Sequence, residues 1–342
     1  MTQPAEYDAP DFEDSSSSST AVAEQPDPLR DLRRKPVVVT GAAGLVGTHT
    51  CHRLVNAGWS VRAIVRDTGK AARRLGHLKL EIRTGDVRNV SDMRAALSGA
   101  GAIVHLAAIA IEKPGERYAD TNTDATRVLI DSAIAEGVDR FVYMSQNGAD
   151  ARSPYEFLRS KGVAQDMVQG SSLKWTVLRP SVIFGPEDEF VNVLARLVKL
   201  SPLVFPLPGG GTARFQPVAV SDVARAIVKI LEDETTIGHN YEAGGAAALT
   251  LRQMTERILI AMNASRVLVG IPVKALRPVV AAAQRLLPHP PVTTGLLDLL
   301  AFDNVTELNN LPQLGIEPTP FAPEELLYLR KITFGSALRS LF

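Results

Sequence analysis

One cysteine, Cys51, occurs among 342 residues, which excludes a disulfide framework within the chain. On an expected helix beside a strand, it reads as a small buried hydrophobe. Charge of either sign is not in excess: 37 Lys and Arg stand against 37 Asp and Glu. A chain with no basic surplus carries no electrostatic footprint for nucleic acid, and no such partner is expected. Long hydrophobic runs are missing too, since none reaches the ~18 residues that a bilayer span requires. The opening stretch, MTQPAEYDAPDFEDSSSSST, has few large aliphatics and neither the basic nor the apolar part of a secretory leader. Acidic and Ser-rich, it cannot bury enough surface to offset the entropy of ordering. Residues 1–34 are therefore expected to be a disordered tail. These absences lead to the expectation of a cytoplasmic protein, with peripheral membrane contact left open.

What is present is alternation. KPVVVT, WSVRAIVR, LKLEIRTGDV, GAIVHLAAIA, RFVYMS and LKWTVLRP read as six strands, separated by stretches with helical periodicity. One helix is expected over Tyr118 to Glu136, and a short one after Ser91 as N-cap. Strands alternating with helices imply right-handed βαβ units and a doubly wound parallel sheet. After about residue 185 the pattern loosens into Pro-rich turns, two helical stretches and a strand-like NYEAGG. Residues 35–185 are expected to form a Rossmann-type domain, and residues 186–342 a smaller lobe for substrate or partner, with some elements interleaved.

The sharpest signal is TGAAGLVG, residues 40–47, at the first strand-to-helix turn. Gly41 permits the tight turn, Gly44 lets backbone N–H groups approach a diphosphate, and Gly47 lets helix and strand pack closely. Leu45 and Val46 continue that cradle. The second strand ends in Arg66 and then Asp67. A guanidinium there suits a ribose 2′-phosphate, so NADP(H) is favoured, and Asp67 keeps NAD(H) open. Asp86 in GDVRN can accept from an adenine amino group while Val87 packs the ring, or it can simply stabilise the turn. Leu106, Ala107 and Ala108 are small or apolar at a strand end, where a backbone passes close to a cofactor ribose.

TGAAGLVG, GDVRN, HLAA, the Asn122 helix, the Lys161 helix and RPSVIFGPED together resemble the short-chain dehydrogenase/reductase superfamily in its extended and atypical branches. SPYEFLRSKG, RPSVIFGPED and ARFQPVAVSDVARAI are most similar to one atypical group. That group contains bacterial relatives of the NAD(P)H-binding accessory subunit of respiratory complex I, which is regarded as binding nucleotide without turnover. The resemblance implies that Lys161 holds the nicotinamide ribose and that Pro180 and Val182 pass the nicotinamide face. It also implies a catalytic Tyr four residues before the Lys, and there this chain has Phe157. Four positions on a helix bring two side chains within about 40° of one face, whereas six leave Tyr155 about 120° away. The resemblance places a substrate-contacting Ser or Thr just after the fifth strand. Ser145 matches best the residue before it, which leaves Gln146 or Asn147 in that place. A register slip of one would return the role to Ser145.

Two readings follow for these residues. One is a nucleotide-binding protein, weakly catalytic or inactive, with a structural or redox-sensing role. The other is an active NADP-dependent oxidoreductase, or a nucleotide-sugar epimerase or dehydratase, that uses a displaced Tyr155. Arg214 lies where sugar-nucleotide enzymes bind a diphosphate, and a salt bridge between lobes explains it equally well. The C-terminal stretch LLYLRKITFGSALRSLF and the earlier VKALRPVVAAAQRLLP are apolar and basic. Such segments suit a protein partner or an anionic membrane surface, or packing on the smaller lobe.

Overall fold

In a computed structural model, the described residues are 32–112, 115–288 and 290–341. Most of the expected acidic tail lies outside them. Seven strands form one parallel sheet: β1 (Val37–Thr40), β2 (Val61–Val65), β3 (Glu81–Thr84), β4 (Ala102–His105), β5 (Arg140–Met144), β6 (Lys174–Pro180) and β7 (Asn240–Ala243). Their order is β7-β6-β5-β4-β1-β2-β3, so the crossover direction reverses between β1 and β4. A doubly wound sheet opens a crevice at that reversal, beyond the carboxyl ends of the strands. β1 and β4 are buried at every position, as strands covered on both faces must be.

Helices α1 (Leu45–Asn56), α2 (Thr68–Leu75), α3 (Val90–Leu97), α4 (Ala125–Ala135) and α5 (Glu156–Gln169) connect the strands in turn. α1 buries Val46, Gly47, Thr50, Cys51 and Leu54, one face at helical spacing. Cys51 is buried as expected, and burial pushes its thiol up to about 12. The cap of α3 differs from expectation. Asn89 accepts from the N–H groups of Ser91 and Asp92, because its amide oxygen stands just ahead of the first turn while Ser91 already lies inside it. The long helix expected from Tyr118 also differs, beginning with a π-turn over Ala119–Asp124 before α4. Such turns widen the backbone and gather at functional positions.

NYEAGG, expected in the smaller lobe, belongs to the main sheet. It is β7, parallel to β6, with Asn240 opposite Val177. Between β6 and β7 run α6 (Val191–Leu200) and α7 (Val220–Glu232), and α7 packs along α1. A separate core joins Val191, Leu194, Phe205, Phe215, Met254 and Ile258 around α6 and α8 (Leu251–Ala261). The C-terminal stretch also enters this core: Leu326 and Leu329 are fully buried, and Arg330 donates to the Ala261 carbonyl. That stretch is thus packed on the smaller lobe at these residues, while Leu327, Phe334 and Leu338 stay exposed. Helix α9 (Val273–Leu286) is the opposite case, with no buried residue. No described helix is long and apolar enough to cross a membrane.

Candidate functional site

The parallel sheet brings the carboxyl ends of six strands to one edge. Gly41 follows β1, Arg66 follows β2, Asp86 lies beyond β3, Leu106 to Ala108 follow β4, Ser145 follows β5, Pro180 ends β6 and Val182 lies just beyond it. Residues far apart in sequence are assembled by strand order alone.

At the switch point, Gly41 has φ +66°, and a Cβ there would lie 2.8 Å from the Ala107 nitrogen. A Cβ on Gly47 would lie 2.2 Å from the Gly41 carbonyl oxygen. Both positions exclude any side chain, so the loop, α1 and the end of β4 sit at backbone contact. Gly44 caps α1 with no side-chain acceptor, and no acidic residue stands in the first turn. The N–H groups of Leu45, Val46 and Gly47 therefore present the positive end of the helix to an anion.

Beneath this loop runs a buried chain of polar groups whose pairing no motif announces. Thr126 Oγ1 donates to the Asn122 carbonyl at 2.8 Å, so it must accept from His105 Nε2 at 3.0 Å. His105 Nδ1 then accepts from Thr40 Oγ1 at 2.7 Å. The Thr40 oxygen also meets the N–H groups of Leu106 and Ala107 at 3.3 Å. Burial, with Lys161 adding a smaller push, lowers His105 to about 3 and keeps it neutral. The network ties the ends of β1 and β4 together. Its only sign in the sequence is a polar His closing an apolar strand.

Lys161 is 3% exposed; its Nζ donates to the Met144 carbonyl at 2.7 Å and lies 4.5 Å from the Tyr143 ring centre. Burial pulls its ammonium down to about 7. Nearby, Ser145 is 2% exposed, and its hydroxyl has no hydrogen-bond partner. An ammonium with N–H groups to spare and an unpartnered buried hydroxyl suit the hydroxyl groups of a ribose. With the glycine cradle, these residues fit a nicotinamide dinucleotide, whose chemistry would be hydride transfer. Gly41, Gly44, Leu45, Val46 and Gly47 would hold the diphosphate, and Lys161 and Ser145 the nicotinamide ribose. Val87 and Leu106 are buried and Ala107 half-buried along the same edge.

At the end expected to take the adenosine, several charged groups already have partners. Arg66 pairs with Glu116, and Asp67 caps α2 by accepting from the Lys70 N–H at 2.8 Å. Asp86 is held by Arg88 through Nε–Oδ1 and Nε–Oδ2 contacts of 3.0 and 3.1 Å, which lowers its carboxyl below the usual range.

The other end of the crevice, where the resemblance places a substrate, is arranged differently. Tyr155 lies before α5, in extended backbone as its N-cap, and its ring packs on Phe302 at 5.4 Å between centres. Phe157 packs on Tyr118 at 5.8 Å. The Tyr155 phenol sits above the ordinary value, through desolvation first and Asp298 second. A proton donor poised near neutrality needs the opposite shift. Asp303, one residue beyond Phe302, pairs with Arg214, Nε to Oδ2 at 2.8 Å. Asn304 accepts on Oδ1 from Asn147 Nδ2 and Ser181 Oγ, both at 3.0 Å. The single Ser181 proton is shared between that Oδ1 and the Asn304 carbonyl, which lies at 2.8 Å, and the Asn304 N–H donates to the Arg214 carbonyl at 2.7 Å. Three consecutive residues thus occupy Tyr155, Arg214 and the Asn147–Ser181 pair. Nothing in the sequence signals this, because Asn147 and Asn304 are 157 positions apart.

Residues 41–234, more than half of the 342-residue chain, match the model of a family described as NAD(P)H-binding. The mitochondrial NADH dehydrogenase [ubiquinone] 1 alpha subcomplex subunit 9 of Arabidopsis thaliana is 31% identical over 227 residues. That match covers 64% of this chain and only 56% of the relative. The mitochondrial NADH-ubiquinone oxidoreductase 40 kDa subunit of Neurospora crassa is 25% identical over 301 residues, 85% of this chain and 78% of the relative. Among solved structures, a nucleoside-diphosphate-sugar epimerase from Staphylococcus aureus superimposes with a TM-score of 0.68 at 18% identity. It covers 86% of this chain and all 100% of its own, and shows the fold alone. The relatives agree with the resemblance to complex I accessory subunits carried by SPYEFLRSKG, RPSVIFGPED and ARFQPVAVSDVARAI.

Proposed function

We propose that this chain, which belongs to the NAD(P)H-binding family, holds its nucleotide for a structural or redox-sensing purpose and does not turn it over at a useful rate. The observation that carries the reading is the strap Phe302–Asn304. Its side chains take the ring, the cation and the hydrogen-bond groups that a substrate would need. Phe157 in the place of the family's acid supports the same conclusion, since it has no proton to give.

NADP(H) is the favoured form, on the strength of Arg66 at the end of β2. The relatives named above are subunits of a larger enzyme, which supports a protein partner for this chain as well. Helix α9 is the surface we assign to that partner. It carries Lys274, Arg277 and Arg285 and leaves Val279 64% and Leu286 80% exposed. Substituting Val279 and Leu286 by Ser should then abolish co-purification of partner subunits without altering nucleotide affinity.

Native mass spectrometry of the purified protein tests the central reading, with a stoichiometric NADP(H) adduct as the expected result. Sustained oxidation of NADPH by a carbonyl compound, lost in Tyr155→Phe, would overturn it in favour of a displaced catalytic tyrosine.

A further inference from the structure

Four charged side chains meet at the adenosine end of the crevice. Arg66 comes from the end of β2, Asp86 and Arg88 from beyond β3, and Glu116 from the segment after β4. Arg66 pairs with Glu116, and Arg88 chelates Asp86. The pairs are close enough to act on each other: Arg66 helps to lower the Asp86 carboxyl, and Glu116 helps to raise the Arg88 guanidinium. The side chains of Arg66 and Glu116 are 50% and 24% exposed, so an incoming ligand can reach both.

This arrangement has two consequences for an adenosine ribose beside Arg66. A 2′-phosphate carries about two negative charges and seeks the guanidinium that Glu116 already holds. It must displace that carboxylate and also bears its repulsion. A 2′-hydroxyl instead needs an acceptor. Asp67 accepts the Lys70 N–H on Oδ1 and Glu116 pairs with Arg66 through Oε1, so each carboxylate keeps a second oxygen that can accept from a 2′-hydroxyl. We propose that Glu116 is a cofactor-specificity residue, which competes with the 2′-phosphate for Arg66 and holds the preference for NADP(H) over NAD(H) to a small factor. The proposal rests on the nucleotide-binding reading above and adds the residue that sets its selectivity.

The test is a cycle of dissociation constants for NADPH and NADH, measured by calorimetry on the full chain. It covers the wild type, Glu116→Gln, Arg66→Ala and the double variant, with thermal melts to confirm folding. Glu116→Gln should tighten NADPH by about tenfold and leave NADH unchanged or weaker. Arg66→Ala should bring NADPH down to the NADH level. In the Arg66→Ala background, Glu116→Gln should no longer matter. A Glu116→Gln effect equal for both nucleotides, no effect at all, or a gain that persists without Arg66 would each overturn the proposal. If neither nucleotide binds any of the four proteins, the nucleotide-binding reading itself fails, and the specificity proposal fails with it.

Discussion

The two ends of the crevice are built on opposite principles. Around the switch point the chain withholds side chains and leaves donors open. Glycines bring backbones into contact, α1 begins without a side-chain cap, and Ser145 keeps a buried hydroxyl unpartnered. At the substrate end, groups of the same kinds are satisfied internally by residues 302–304. Leaving a polar group open in a buried place costs stability unless a ligand completes it. The contrast therefore separates the part of the crevice whose donors stay open within the chain from the part whose polar groups pair internally.

Four experiments can break or sharpen this contrast. The largest effect is expected from Gly47→Ala. Its Cβ would stand 2.2 Å from the Gly41 carbonyl and push α1 off the loop. NADPH affinity should fall at least about 100-fold, and overpacking should cost about 1–3 kcal/mol in urea unfolding. Unchanged affinity would mean that the cradle is not where the nucleotide sits. Next is Asn304→Ala, which strips the acceptor from Asn147 and leaves Ser181 only the main-chain carbonyl of residue 304. Stability should drop by about 1–3 kcal/mol while the NADPH dissociation constant stays within twofold. A large loss of NADPH affinity would show that the two ends are coupled.

The third experiment concerns pH. His105 is neutral in the folded chain, with its pKa lowered to about 3, while the unfolded chain takes up a proton near the ordinary 6.5. Its contribution is thus complete above about 6.5 and is lost as pH falls from there toward about 3. His105→Gln, which can hydrogen-bond both threonines, should flatten the slope of stability against pH in that window. An unchanged slope would assign the acid sensitivity to carboxylates elsewhere. The smallest effect is expected from Arg214→Ala. Arg214 and Asp303 are 60% and 46% exposed, and ion pairs of that kind are worth about 0–1 kcal/mol. A loss well beyond this would mean that the Arg214–Asp303 pair is central to closing the substrate end.

Much of the nucleotide end is legible in the sequence, because it depends on local rules. TGAAGLVG announces a tight turn, the start of a helix and a close backbone approach within eight residues. Helix geometry is enough to place Lys161 and Phe157, although Tyr155 lies just before the helix instead of in its first turn. The six strands ahead of residue 185 show in their apolar runs. The seventh does not, because NYEAGG carries no mark of which sheet it joins. Asn89 rather than Ser91 caps α3, a choice between neighbouring polar residues that pattern alone does not make.

By itself, then, the sequence determined the doubly wound sheet, the phosphate loop and the missing acid. The sheet and the glycine turn follow from periodicity and spacing over a few residues, and the missing acid from the resemblance, which expects a Tyr where Phe157 stands. Only the tertiary structure decided how the charges at Arg66, Asp86 and Glu116 pair, that Thr40, His105 and Thr126 form one chain, and that Phe302, Asp303 and Asn304 complete the substrate end. Those outcomes are long-range pairings of polar groups. Such groups combine with whatever partner folding brings within about 3 Å, and no spacing along the chain records that meeting.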